Sequence, residues 1–199
     1  MLENLSANKK ETIKKFVEEA FEFNQTHNLF VRKNQNEIYK KDVEDCLCLL
    51  NEIKKNENIA DLGTGGGFPG ILLAITLPKN KITLIESSQK KCYFLKKIKH
   101  NLKLNNTEIV NEKLYQGNTL ETYDVITARA FAKTQKILEI TKENLKNGGR
   151  YLLLKGKKTT IQEETKCLEQ NQYTFKIKEV KSKVNERNIL EIKKLTNFE

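Results

Sequence analysis

Apolar positions early in the chain recur at helical spacing. Ile13, Phe16, Val17, Ala20 and Phe21 form an i, i+3, i+4 stripe behind Ser6, a residue type that caps helix N-termini. The stripe predicts an amphipathic helix ending near His27. Residues 30–36 are polar and irregular, and a second helical pattern runs through Val43, Leu47, Leu50 and Ile53. The aromatic positions Phe16, Phe21 and Phe23 read as packing residues of the first helix, so the helix pair is expected to cap a sheet.

The texture changes at residue 58. Short apolar runs (IADLG, KITLIES, TEIVNE, YDVITA, RYLLLK) alternate with longer helical ones (FPGILLAITL, SQKKCYFLKKIKHNLKL, residues 133–146 and 159–170). That rhythm is βαβ and implies a parallel sheet covered on both faces. A turn at Gly148 and Gly149 precedes RYLLLK. The end differs, because YTFKIKEV and NILEIKKL are strand-like runs joined by a polar link containing Lys183 to Arg187, which predicts a terminal β-hairpin. The expected fold is one doubly wound α/β domain over 1–199, with a helical cap at 1–56 and a core at 57–199. Its sheet should have about seven mostly parallel strands with an antiparallel edge.

Five of the nine glycines, Gly63, Gly65, Gly66, Gly67 and Gly70, directly follow IADLG. A glycine-rich loop leaving a strand and entering a helix delivers backbone N–H groups to a ligand at the sheet's C-terminal edge. Gly65-x-Gly67-x-x-Gly70 formally matches the dinucleotide fingerprint, with Glu86 about 20 residues on as an acceptor for ribose hydroxyls. Three features favour S-adenosylmethionine instead. Asp61 ends the first strand, Pro69 interrupts the loop, and no second domain remains for a hydride-transfer substrate. Asp61 is expected to orient the loop or the cofactor's ammonium, Gly63 to admit the backbone close to the ligand, and Glu86 to hold the ribose.

Composition adds bounds. No apolar run approaches the roughly 18 residues of a membrane span, and MLENLSANKKETIKK lacks the apolar core of a signal peptide, so a cytoplasmic protein is expected. Cys46, Cys48, Cys92 and Cys167 form no CxxC pair and have only His27 and His100 for company, so they read as reduced thiols and no metal site is expected. The net charge of +10 suits a nucleic-acid partner, although the excess is mostly lysine: Arg32, Arg129, Arg150 and Arg187 are the only arginines.

Together DLGTGGGFPGILLAI, LIES and ITARAFA, with HNL at 27–29, LLLKG at 152–156 and ERNILEI at 186–192, resemble the bacterial small-subunit ribosomal RNA methyltransferase G family, also called glucose-inhibited division protein B. The resemblance covers nearly the whole chain. It implies a class I S-adenosylmethionine-dependent methyltransferase, Rossmann-like in fold. It also implies methyl transfer to N7 of one guanine of 16S rRNA in the small ribosomal subunit, in the cytoplasm. Carried residue by residue, it implies cofactor contacts at Gly63, Phe68, Leu114, Tyr115 and Arg129, and Glu86 matches the acidic ribose position; Gly65 of the same loop is expected to contact the cofactor as well. The chain departs from the family at Phe30, where NLT is usual, at Lys41 and Asp42, where an Arg-His pair is usual, and at Leu114 and Tyr115, which replace a common Val-Glu.

Guanine N7 carries a lone pair and no proton, so no general base and no catalytic dyad is expected. Arg129, at the end of YDVITA, is the leading candidate for orienting cofactor or guanine. Arg32, Lys33, Lys155 and the Lys181 to Arg187 link, Arg187 included, are candidate phosphate contacts of a monomeric enzyme. The competing readings are a methyltransferase of the same fold acting on another RNA, a protein or a small molecule, a binding module with a relic loop, and an NAD-dependent oxidoreductase.

Overall fold

The computed structural model describes residues 1–166, 168, 173–180 and 186–195; Cys167 and residues 181–185 of the terminal link lie outside the described residues. Strands β1 (Asn58–Leu62), β2 (Lys81–Ile85), β3 (Thr107–Val110), β4 (Tyr123–Arg129), β5 (Leu145–Lys155), β6 (Tyr173–Val180) and β7 (Arg187–Lys194) form one sheet in the order β3-β2-β1-β4-β5-β7-β6. The first five pair in parallel, and β7 runs antiparallel to both β5 and β6.

The expected antiparallel edge is the β5-β7-β6 end of the sheet, and its reversed strand is β7, second from the edge. Burial explains the placement. β7 has a continuous buried run from Asn188 to Ile192 and needs neighbours on both sides, whereas β6 alternates between partly buried and exposed positions as an edge strand does.

Alternate residues of the central strands feed two cores, one on each face of the sheet. Ile59, Val125, Leu152, Leu154 and Ile189 face one way, and Ala60, Leu62, Ile126, Tyr151, Leu153 and Leu190 the other. The first face receives helix α1 (Ala7–His27), α4 (Gly70–Thr76) and α5 (Gln89–Asn101); the second receives α6 (Thr134–Thr141) and α7 (Lys158–Thr165).

Ser6 caps α1 by accepting from the Lys9 N–H, and Asn28 ends it in the left-handed conformation, φ 48°. Ile13, Phe16 and Val17 are fully buried, which contributes roughly 1.5–3 kcal/mol each. Phe16 stacks at 4.9 Å on Phe68 of the glycine loop, and Phe23 at 4.9 Å on Phe94 of α5, so the aromatics of α1 are packing residues.

The second helical stretch comprises α2 (Gln35–Ile38), a π turn at Tyr39–Val43, α3 (Glu44–Leu47) and a 3-10 turn at Cys48–Asn51. It buries Asp42 and Asp45. α6 is shorter than the periodicity predicts, because the Asn144 amide turns back to donate to the Leu120 carbonyl at 3.0 Å while Leu145 opens β5 beside Tyr123. No described helix is long and apolar enough to cross a membrane, and no described cluster of His, Cys, Asp and Glu could hold a metal ion.

Candidate active site

The chain winds outward from β1 through β2 to β3, then returns to β4 on the other side of β1. The carboxyl ends of β1 and β4 thus form the switch-point crevice where ligands of open α/β sheets bind. A cavity of about 440 Å³ opens there, walled by Gly63–Gly66, Phe68, Ala128–Ala132 and Lys155, and by Phe30, Asp45 and Arg187 from outside the central strands.

The glycine loop is tied down from two sides. Asp61, fully buried in β1, accepts from the Gly70 N–H at 2.9 Å, where α4 begins. Its second oxygen, Oδ1, is buried without a hydrogen-bond partner. Burial pushes its carboxyl up to about 7, against the pull of the Gly70 N–H. A β-carbon at Gly70 would stand 2.1 Å from Leu84 and 2.7 Å from Asp61 Oδ2, so only glycine lets α4 approach this closely. On the other side Glu86, just past β2, accepts from the N–H groups of Gly65 at 3.0 Å and Ser88 at 2.8 Å. The Asn111 amide donates to the Glu86 carbonyl at 2.9 Å, which fixes the strand ends of β2 and β3 together.

The loop glycines have different surroundings. Gly65 has φ +60° and faces open space, its nearest would-be contact being the loop's own carbonyl at 3.7 Å. Gly63 has φ +61° and its bare face is covered: a β-carbon there would lie 2.3 Å from the Phe131 ring. Gly66 is covered likewise by Phe30, at 2.8 Å. The bare face of Gly65 is thus open, while that of Gly63 accommodates Phe131.

Phe131 reaches Gly63 because Ala130 holds a left-handed backbone, φ 52°, a conformation that costs a non-glycine residue roughly 1–2 kcal/mol. The turn sends Arg129 the other way. Arg129 Nη2 donates to Asp42 Oδ1 at 2.6 Å and Nη1 to the Lys41 carbonyl at 3.2 Å, with the guanidinium 5.7 Å from the Phe68 ring centroid. Burial opposes the charge on Arg129, yet Asp42 and Asp45 beside it hold its pKa above the usual arginine range.

Three of the phosphate-contact candidates have partners inside the protein. Arg32 donates to both carboxylate oxygens of Asp42, at 2.7 and 2.8 Å. Arg187 Nε lies 2.7 Å from Asp45 Oδ1, and Lys155 Nζ 2.7 Å from Glu164 Oε2. These three are ion-paired and line the cavity wall. Lys33 is exposed. Arg150 pairs with both oxygens of Glu57, at 2.7 and 3.0 Å. All four arginines therefore pair with carboxylates of the protein, Arg32 and Arg150 as planar forks on both oxygens, and lysine supplies most of the surface charge.

Leu114 and Tyr115 fall on the segment after β3, outside the cavity; Leu114 packs on the second core and Tyr115 is exposed. Sequence reasoning assigned no role to Phe30, Phe131, Asp42, Asp45 or Asn111. Of these Phe30 and Asp42 carried a signal as departures from the family pattern, and Phe131 as part of the ITARAFA motif.

The fold resembles solved methyltransferases. A methyltransferase from Pyrococcus furiosus superposes with a TM-score of 0.65 at 15% identity, over 96% of this chain and 100% of that one. A SAM-dependent methyltransferase from Aquifex aeolicus does so with 0.62 at 18% identity, over 78% and 92%. At these identities the likeness concerns the fold alone. Sequence relatives are nearer. The Ribosomal RNA small subunit methyltransferase G of Brachyspira hyodysenteriae is 34% identical over 188 residues, 94% of this chain and 91% of that protein. The protein of the same name from Aliarcobacter butzleri is 36% identical over 180 residues, 90% and 88%. The family model described as rRNA small subunit methyltransferase G matches residues 9–191. The chain belongs to the rRNA small subunit methyltransferase G family.

Proposed function

We propose that this protein transfers the methyl group of S-adenosylmethionine to N7 of one guanine of 16S rRNA in the small ribosomal subunit. The observation that carries the reading is the switch-point cavity, with an open glycine loop on one wall and a cationic, aromatic wall facing it. The residues fit the cofactor. Gly65 leaves space beside the buried Glu86 carboxylate, where ribose hydroxyls would donate, and Asp61 lies beneath the loop at the amino-acid end. Phe68 and Arg129 form the cavity side, Gly63 seats Phe131 there, and Leu114 and Tyr115 flank the adenine end beyond β3.

The bound cofactor supplies an electrophilic methyl group on a sulfonium. Everything else is positioning by the chain. N7 has no proton to lose, so no residue acts as a base. Holding the base in line at near-attack distance and excluding water contribute roughly 7–11 kcal/mol in well-oriented reactions. The buried ion pairs around Arg129 keep the wall rigid for that purpose. A guanine within an RNA helix hides N7 in the deep groove, so the target lies in a loop or distorted element. Lys33 and the lysine-rich surface contact its phosphates, and the enzyme acts as a cytoplasmic monomer.

The test incubates the protein with methyl-labelled S-adenosylmethionine and small subunits from cells lacking this methylation. Label recovered as 7-methylguanosine of 16S rRNA supports the reading; binding of cofactor with no label in rRNA overturns the substrate. A second expectation concerns Gly63→Val. A β-branched residue at positive φ pushes Phe131 off the loop and into the cavity. Strain and overpacking together cost about 2–4 kcal/mol, which a domain of ordinary stability survives. Cofactor affinity is expected to fall about 10–100-fold, or about 1.4–2.8 kcal/mol. Titration calorimetry on the folded variant checks this, and unchanged affinity would remove the loop from the binding site.

A further inference from the structure

The cavity wall facing the glycine loop holds five cations, Arg32, Lys41, Arg129, Lys155 and Arg187, and a single carboxylate, Asp45. Neutralising Arg129 does not require that carboxylate. Asp42 already accepts from Arg129 at 2.6 Å, whereas Asp45 Oδ2 stands 3.6 Å away. Asp45 Oδ1 lies 2.7 Å from Arg187 Nε but makes no hydrogen bond of acceptable geometry there. The residue is 8% exposed. Oδ1 is thus closed off from the cavity and paired with Arg187, and the capacity left for a ligand is that of Oδ2, which stands beyond hydrogen-bonding distance of Arg129. Burial pushes its carboxyl up, with Arg187 and Arg129 pulling the other way.

A wall meant only for phosphate gains nothing from a carboxylate, which repels the ligand. A purine whose edge presents donors next to an acceptor does gain. Guanine offers N1–H and N2–H₂ beside O6, the complement of a carboxylate next to a guanidinium. Adenine offers a bare N1 lone pair at the same place. Enzymes that modify a base read its Watson–Crick edge in this way and stack its faces on aromatic side chains; Phe30 and Phe131 line the same cavity. N7 lies at the other end of the base from N2, so an edge held at Asp45 leaves N7 toward the loop.

We propose that Asp45 determines base specificity, its Oδ2 accepting from N2–H₂ and N1–H of the target guanine while an adjacent guanidinium donates to O6. The inference rests on the proposed guanine-N7 reaction. Its test compares small subunits carrying guanine or hypoxanthine at the target position. Hypoxanthine keeps O6, N1–H and N7 and lacks only the 2-amino group. Wild-type protein is expected to lose tenfold or more in kcat/KM on the hypoxanthine substrate. Asp45→Asn should lose about as much on guanine and discriminate between the two less than threefold, with cofactor affinity unchanged. Equal wild-type rates on both bases overturn the proposal without needing any variant, as does full discrimination by Asp45→Asn. Absence of wild-type methylation on either substrate overturns the guanine-N7 reading, and this inference with it.

Discussion

Asp42→Ala is expected to lower the unfolding free energy by about 3–5 kcal/mol, the penalty for leaving buried charges without their partner. Asp42 is 1% exposed and accepts three hydrogen bonds, two from Arg32 and one from Arg129. Without it two largely buried guanidinia lose the carboxylate that stands between them. Arg129 would keep only the Lys41 carbonyl and a carboxylate 3.6 Å away. The bonds also join three separate pieces of chain: the irregular segment after α1, the π turn and the end of β4. Urea denaturation at neutral pH measures the loss. A change below about 1 kcal/mol would mean the network behaves like an exposed ion pair. The same substitution should weaken methylation, because Arg129 forms part of the cavity wall.

That network shows where sequence reading stops. The sheet rhythm is legible because burial on two faces writes itself into consecutive residues, as in the ILLAI that becomes α4 or the YDVITA that becomes β4. The loop is legible because positive φ at Gly63, Gly65 and Gly67 demands glycine locally. Asp42 and Arg129 are 87 positions apart, and no local pattern announces that they meet. Ala130 is harder still, since the left-handed turn that brings Phe131 onto Gly63 falls on an alanine, which looks ordinary in the sequence. The order of the last two strands also escapes, because a hairpin predicts that β6 and β7 pair but not which of them joins β5. The answer lies in the wholly buried run of β7. Arginine scarcity pointed at Arg129 as a residue to watch, and the structure pairs all four arginines with carboxylates of the protein.

Asp61→Asn is expected to act in the opposite direction, stabilising the fold above neutral pH. The Asp61 carboxyl has a pKa of about 7 in the folded protein against an ordinary 3.8. The folded state therefore holds this proton more tightly than the unfolded state, so its contribution is fully present below about pH 4. It is lost progressively as pH rises to about 7, a decline on the order of 4 kcal/mol. An asparagine removes that dependence. Its carbonyl can still accept from the Gly70 N–H, and its amide can turn to the Thr64 hydroxyl, which is buried without a partner of its own. The unfolding free energy of the variant should change little from this site between pH 4 and 8, and should exceed that of the wild type at pH 8. Chemical denaturation at several pH values measures both. A variant less stable than the wild type at pH 8 would mean the carboxylate is better solvated than its burial indicates. A buried carboxyl kept at such a cost to stability has a use other than folding. The use proposed here is electrostatic: a carboxylate beneath the loop, at the end where the cofactor's ammonium lies. Asp61→Asn should thus bind S-adenosylmethionine at least tenfold more weakly while melting at a higher temperature. Stabilisation without loss of affinity would confine Asp61 to holding the start of α4.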